Sequence, residues 1–312
     1  MTKYRNRLPQ LDGGLFLNDA GLETDLIFNH GIDIPEFAAH TLLDDEDGRA
    51  ALQRYMEGFL SLANETGAGF VLDTQTWRAQ THFSEELGQD ASALRKANLA
   101  AVEFAATLRD KYASNAGQIV INGLIGPRGD AYAPDEEIAA MEAQAYHGEQ
   151  LGWLAETDVD MVTALTFTQA DEAIGVVRAA VDLGLPVVVS FTVETDGNLP
   201  TGQPLAEAIA TVDAATDAAA AYFMVNCAHP DHFVGLMVDQ PWAHRIRGLR
   251  CNASRMSHAE LDEAEVLDDG NPAELAAGYA RLKTTLPWLN VFGGCCGSDL
   301  RHVTAIAAAV SE

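Results

Sequence analysis

Apolar residues are distributed along this chain in two alternating patterns. Short continuous runs occupy Leu15–Leu17, Gly69–Leu72, Ile119–Ile121, Met161–Leu165, Val187–Phe191, Tyr222–Val225, Ile246–Leu249 and Leu289–Phe292. They are rich in β-branched and aromatic residues, and most stop at Gly, Asn, Asp, Thr or Cys, as strands buried on both faces of a parallel sheet do. Between them, Ala-rich stretches carry apolar residues at helical spacing. They predict helices over Asp45–Thr66, Asp90–Tyr112, Asp135–Glu156, Thr168–Leu183, Gln203–Ala219, Pro272–Leu286 and Asp299–Val310. Pro134-Asp135-Glu136-Glu137 and Ser298-Asp299 read as helix starts, and Gly67 and Gly184 as stops. Such alternation predicts an α/β protein folded as a single (β/α)8 TIM barrel, one domain over residues 1–312. A doubly wound open sheet is the alternative, but no G-x-G-x-x-G follows the first strand.

A barrel gathers its chemistry where strands end and βα loops begin. The segments so placed are Asn18–Thr24, Asp73–Thr76, Gly123–Arg128, Thr166–Thr168, Thr192–Thr195, Asn226-Cys227, Asn252 and Gly293–Gly297. Cysteines stand out among them. In Gly293-Gly294-Cys295-Cys296-Gly297, two neighbouring side chains can converge only if the backbone leaves strand geometry, and the flanking glycines permit that. With Cys227, three sulfurs can form a pyramid with one open position, a donor set that suits zinc. A vicinal disulfide, or small core residues, are the competing readings of Cys295-Cys296. Cys251 has no partner motif and reads as structural.

Composition narrows the function. The chain of 312 residues is 48% hydrophobic, enough to bury a sizeable core, and its formal net charge of −27 opposes binding to nucleic acid or to an anionic membrane surface. The N-terminal MTKYRNRLPQLDGG lacks the apolar run of a signal peptide, and no apolar stretch is long enough to span a membrane. A cytoplasmic protein with reduced cysteines is therefore expected. No HExxH, P-loop or GxSxG is present. The sequence leaves the oligomeric state open.

Leu17–Thr24, Val225-Asn226-Cys227-Ala228-His229-Pro230 and Gly293–Gly297 together resemble the homocysteine S-methyltransferase family, in order and at barrel spacing over essentially the whole chain. The resemblance implies a barrel with Zn2+ on Cys227, Cys295 and Cys296. It implies that Asp19 contacts the amino-acid portion of homocysteine. Glu23 and Thr24 match its first motif less strictly, Asn226 is expected to steady the metal loop, and Gly294 to border the substrate. Metal coordination would ionise an alkyl thiol that is otherwise only a few per cent thiolate at neutral pH. The acceptor would then be a small thiol, methylated by a small-molecule donor.

One departure concerns the acceptor. On strand four the family carries a glutamate that helps hold the substrate ammonium, whereas Val162–Thr168 contains no carboxylate, with Leu165 in the segment. The expected reaction is methyl transfer from S-methylmethionine, S-adenosylmethionine or a betaine or sulfonium compound to homocysteine. The alternatives are a methyltransferase or demethylase of the same fold acting on a different thiol or selenol, or a non-catalytic zinc- or redox-responsive protein. For the donor pocket, Trp77 offers an aromatic face to an onium methyl and Glu194 a carboxylate on the loop after strand five. Core packing and an ordinary polar loop are their plain readings.

Overall fold

A computed structural model describes residues 2–112, 117–129, 131, 137–264 and 266–311. The eight apolar runs become the strands β1 (Phe16–Leu17), β2 (Gly69–Asp73), β3 (Ile119–Ile125), β4 (Met161–Phe167), β5 (Val187–Phe191), β6 (Tyr222–Asn226), β7 (Ile246–Cys251) and β8 (Val291–Gly294). They pair in sequence order as a closed parallel barrel. Closure excludes the doubly wound alternative, because β1 pairs with both β2 and β8. That seam is short: Phe16 faces Val291 and Leu17 faces Phe292. The Asn290 side chain reinforces it by donating to the carbonyls of Gln10 (2.8 Å) and Gly14 (2.9 Å).

The seven expected helices span Glu46–Thr66, Ala91–Tyr112, Ala140–Ala155, Ala170–Asp182, Leu205–Ala215, Pro272–Thr285 and Leu300–Val310. Their ends follow local chemistry. Asp45 accepts the Gly48 N–H at 2.7 Å, capping the first. Gly67 and Gly184 turn the chain at φ 69° and 67°, left-handed values that suit glycine. The start expected at Pro134–Glu136 lies outside the described residues. After β6 the chain makes the single turn Pro230–Phe233 and a 3-10 turn at Ala243–Arg245, and the short helices Ser84–Leu87 and His258–Asp262 lie in segments without a readable helical period.

Two apolar layers hold the barrel. Leu8, Phe16, Val71, Val120, Met161, Val188, Tyr222, Met224 and Val291 pack together inside it, and a larger cluster fills the space between strands and helices. The N-terminal segment plugs the end where strands begin. Lys3 and Tyr4 N–H groups both donate to Asp160 Oδ1 at 2.7 Å, and the buried Gln10 reaches the Tyr222 hydroxyl at 3.3 Å. With that end filled, a ligand's access is from the opposite end, where strands finish. Among the described residues, no helix is long and apolar enough to cross a membrane.

Candidate metal and substrate site

At the open end lies a cavity of about 410 Å³, lined from nearly every strand end. Cys227, Cys295 and Cys296 share one wall, with all three sulfurs within 4.8 Å of one another. Backbone geometry brings them there. β6 ends at Asn226, and Cys227 adopts φ 51°, a left-handed conformation that costs a non-glycine residue about 1–3 kcal/mol. On β8, a side chain at Gly294 would collide with Ser298, and Gly297 turns at φ 75° against the Asp268 carbonyl. Glycine is thus required on both sides of the cysteine pair.

The cysteines differ in one respect from the reduced state expected above. Cys227 and Cys295 form a disulfide. The ends of β6 and β8 set their Cα atoms 5.4 Å apart, inside the roughly 4.4–6.8 Å that a disulfide requires. The vicinal pair Cys295-Cys296 is not bonded, and Cys296 Sγ lies 3.7 Å from Cys227 Sγ. Tetrahedral zinc with bonds of about 2.3 Å to sulfur spaces its sulfurs about 3.8 Å apart. The Cys227–Cys296 spacing already matches; Cys295 would fit after reduction, since one sulfur cannot be both disulfide and ligand. Cys251 stands apart, fully buried, with its thiol pushed up to about 12 by burial.

Asn226 ties this wall together. Its Oδ1 accepts from Ser190 Oγ (2.6 Å) and the Thr166 N–H (3.1 Å), while Nδ2 donates to Thr166 Oγ1 (2.7 Å) and points at Cys295 Sγ (3.9 Å). These bonds hold Thr166 at φ 66°, an unfavourable conformation for a β-branched residue, where β4 bulges. Thr24, also on the cavity, spends its hydroxyl on backbone: it donates to the Gly21 carbonyl and accepts the Gly297 N–H. Gly294 donates its N–H to the Asp19 carbonyl at 2.9 Å.

Asp19 faces the cavity but is not alone. Arg250, at the end of β7, bridges it to Asp73 at the end of β2 and donates from Nε to the Gly294 carbonyl at 3.1 Å. All three side chains are buried. Burial pushes the Asp19 carboxyl up to about 7 against the pull of Arg250, with Asp73 and Glu23 adding repulsion. Burial likewise raises Glu23, which lines the same cavity, to about 7. Leu165 occupies the cavity wall on β4, and its carbonyl accepts the Trp77 indole N–H at 3.0 Å. Trp77 is thereby fixed with its ring at the cavity, and the Arg78 guanidinium stacks on it at 4.8 Å. Glu194 does not line the cavity; its carboxylate holds His258 Nδ1 at 2.9 Å. Arg250 and His258 carry no sequence signal of their own, whereas Asp73 opens the strand-end segment Asp73–Thr76 named above. Arg250 stands at the end of β7, the one clue that could have marked it.

A cluster of three cysteines lies on the mouth of a (β/α)8 barrel, beside buried carboxylates, and its sulfurs are close enough together to hold a metal ion. The chain belongs to the homocysteine S-methyltransferase family, whose profile matches residues 16–310, and is accordingly a methyltransferase. Structures of the homocysteine methyltransferase MmuM from Escherichia coli are similar throughout. Its metallated form superimposes with a TM-score of 0.75 at 18% identity, covering 96% of this chain and 98% of that one. The oxidized form gives 0.74 at 19%, and the apo form 0.67 at 18%, each covering 96% of this chain and 97% of that one. No curated protein matches the sequence.

Proposed function

We propose that this methyltransferase binds zinc through Cys227, Cys295 and Cys296 and moves a methyl group from a small cationic donor to the thiol of homocysteine, giving methionine. The donors considered are S-methylmethionine, S-adenosylmethionine and a betaine or sulfonium compound. In the same reading the chain acts as one domain over residues 1–312 of a cytoplasmic protein. The observation that carries the proposal is the convergence of three sulfurs on a cavity edged by carboxylates. The chemistry supplied by bound zinc is ionisation of the acceptor thiol at neutral pH.

The protein's own residues bind and align. Asp19 and Glu23 offer negative charge to the acceptor ammonium and to a cationic donor, and the Trp77 ring gives an onium methyl a π face. Asn226 keeps an N–H directed at Cys295. Thr24 and Gly294 fix the loops on either side of the acceptor. The walls would hold acceptor sulfur and donor methyl in line at about 3–3.5 Å, so that the sulfur's electron pair forms the new S–C bond as the donor's bond to the methyl breaks and its electron pair leaves with the donor.

A second reading, methylation of a different thiol or a selenol, draws support from Leu165 and from the engagement of Asp19 by Arg250. Calorimetric titration of reduced, zinc-loaded protein with L-homocysteine in two buffers of different ionisation heat separates them. Saturable binding that releases about one proton supports homocysteine. No binding, with zinc present, moves the search to other acceptors.

A further inference from the structure

His258 occupies a position that neither the metal cluster nor the substrate carboxylates account for. It opens the short helix His258–Asp262 in the β7-to-β8 connection, whose start is fixed by a capping box between Ser257 and Glu260. Its ring, 8% exposed, bridges two other loops. Nε2 meets the Cys227 carbonyl at 2.8 Å, and Nδ1 meets Glu194 Oε1 at 2.9 Å. The Cys227 carbonyl can only accept, so Nε2 is the donor of that bond. Cys227 is the residue held at φ 51°. Its N–H is bound by the Arg250 carbonyl at 3.0 Å and its carbonyl by His258, so both sides of the strained residue are clamped. The segment after His258 contributes Leu261, Val266 and Leu267 to the cavity wall.

We propose that His258, anchored by Glu194, is a positioning residue: it holds the Cys227 backbone in the conformation that turns the sulfur toward Cys295 and Cys296, and so couples the cavity wall to the metal loop. The proposal rests on the zinc reading above. A histidine whose ring holds the Cys227 carbonyl, with Glu194 and the Thr192 hydroxyl (3.4 Å) beside it, acts on the metal through the geometry of its ligand, and partners of this kind commonly change metal affinity about 10–100-fold when removed.

Zinc affinity of the reduced protein, measured by competition with a chromophoric chelator, provides the test. In His258→Gln the amide nitrogen reaches the place of Nε2 and keeps the Cys227 contact. In His258→Asn the shorter side chain keeps only the Glu194 side. The expected result is wild-type affinity for Gln and a loss of about 10–100-fold for Asn, with equal thermal midpoints of the two metal-free variants. Asn binding as tightly as wild type, or Gln losing as much as Asn, overturns the proposal. Should the Asn variant fail to fold, Glu194→Gln decides: weakened zinc binding supports the latch and unchanged binding overturns it. If the wild type itself takes up no zinc, the zinc reading falls and the latch with it; if the wild type binds and the variants do not differ, the latch alone falls.

Discussion

Arg250 is the cation on which the buried floor of the site depends, and replacing it with methionine measures that dependence. The guanidinium and both carboxylates are nearly inaccessible, at 5%, 3% and 3% exposure for Arg250, Asp19 and Asp73. Removing one partner of a buried ion pair costs about 3–5 kcal/mol, chiefly because the remaining charge is stranded. A stranded carboxylate has an escape, which is to take up a proton. Neutralising a carboxyl with an ordinary pKa near 3.9 costs about 5 kcal/mol at pH 7.5 and about 2 kcal/mol at pH 5.5, at 1.36 kcal/mol per unit. Asp19, at about 7, already lies near its midpoint, so one further carboxylate must be neutralised. Arg250→Met should therefore lose about 3–5 kcal/mol at pH 7.5 and only about 2 kcal/mol at pH 5.5. The sign follows from proton binding: the variant's fold holds a proton that the unfolded chain releases above pH 4, so its stability falls as pH rises. Urea unfolding of variant and wild type at the two pH values reads the difference directly. A loss below about 1 kcal/mol, or one independent of pH, would refute the claim that Arg250 neutralises the floor.

Three more outcomes are expected. Leu165→Glu places a carboxylate on the cavity wall and should tighten binding of an ammonium-bearing thiol by about tenfold or more, the worth of a charge-assisted hydrogen bond, as read by calorimetry against the desamino thiol. Binding of a cationic donor should strengthen about tenfold between pH 6 and 8, because Asp19 and Glu23 are neutral below and ionised above about 7. Since both values are raised above those of the unfolded chain, the same groups favour the fold at low pH, and that contribution is lost as pH rises through 7. Finally, the disulfide-bonded protein should take up no zinc until reduced, and Ser at Cys227, Cys295 or Cys296 should abolish uptake in the reduced protein, whereas Cys251→Ser should leave it intact; metal analysis after gel filtration checks each.

The barrel was legible because a buried parallel strand must be continuously apolar, and eight such runs with helical stretches between them leave little else to build. The cysteine wall was legible for a related reason: Gly294 and Gly297 mark places where no side chain fits, and those places frame the sulfurs. Arg250 was not legible as a site residue. Its partners lie 231 and 177 positions away, and a lone arginine at the close of an apolar run carries no local sign of them. Thr166 and His258 were hidden by the same distance, since a left-handed threonine and a histidine on a five-residue helix become meaningful only when Asn226 and Cys227 are brought beside them. Glu194, expected in the donor pocket, is instead bonded to His258 and does not line the cavity.

The seam between β1 and β8 has a consequence for the life of the nascent chain. Cys295 and Cys296 follow Cys227 by 68 and 69 residues. At about 5–20 residues per second, Cys227 waits roughly 3–14 s for its neighbours. During that interval the barrel is an open sheet, its last strand missing and its first strand unpaired on one edge. The Cys227–Cys295 disulfide cannot form, and the three sulfurs cannot meet, in a chain stalled before residue 295.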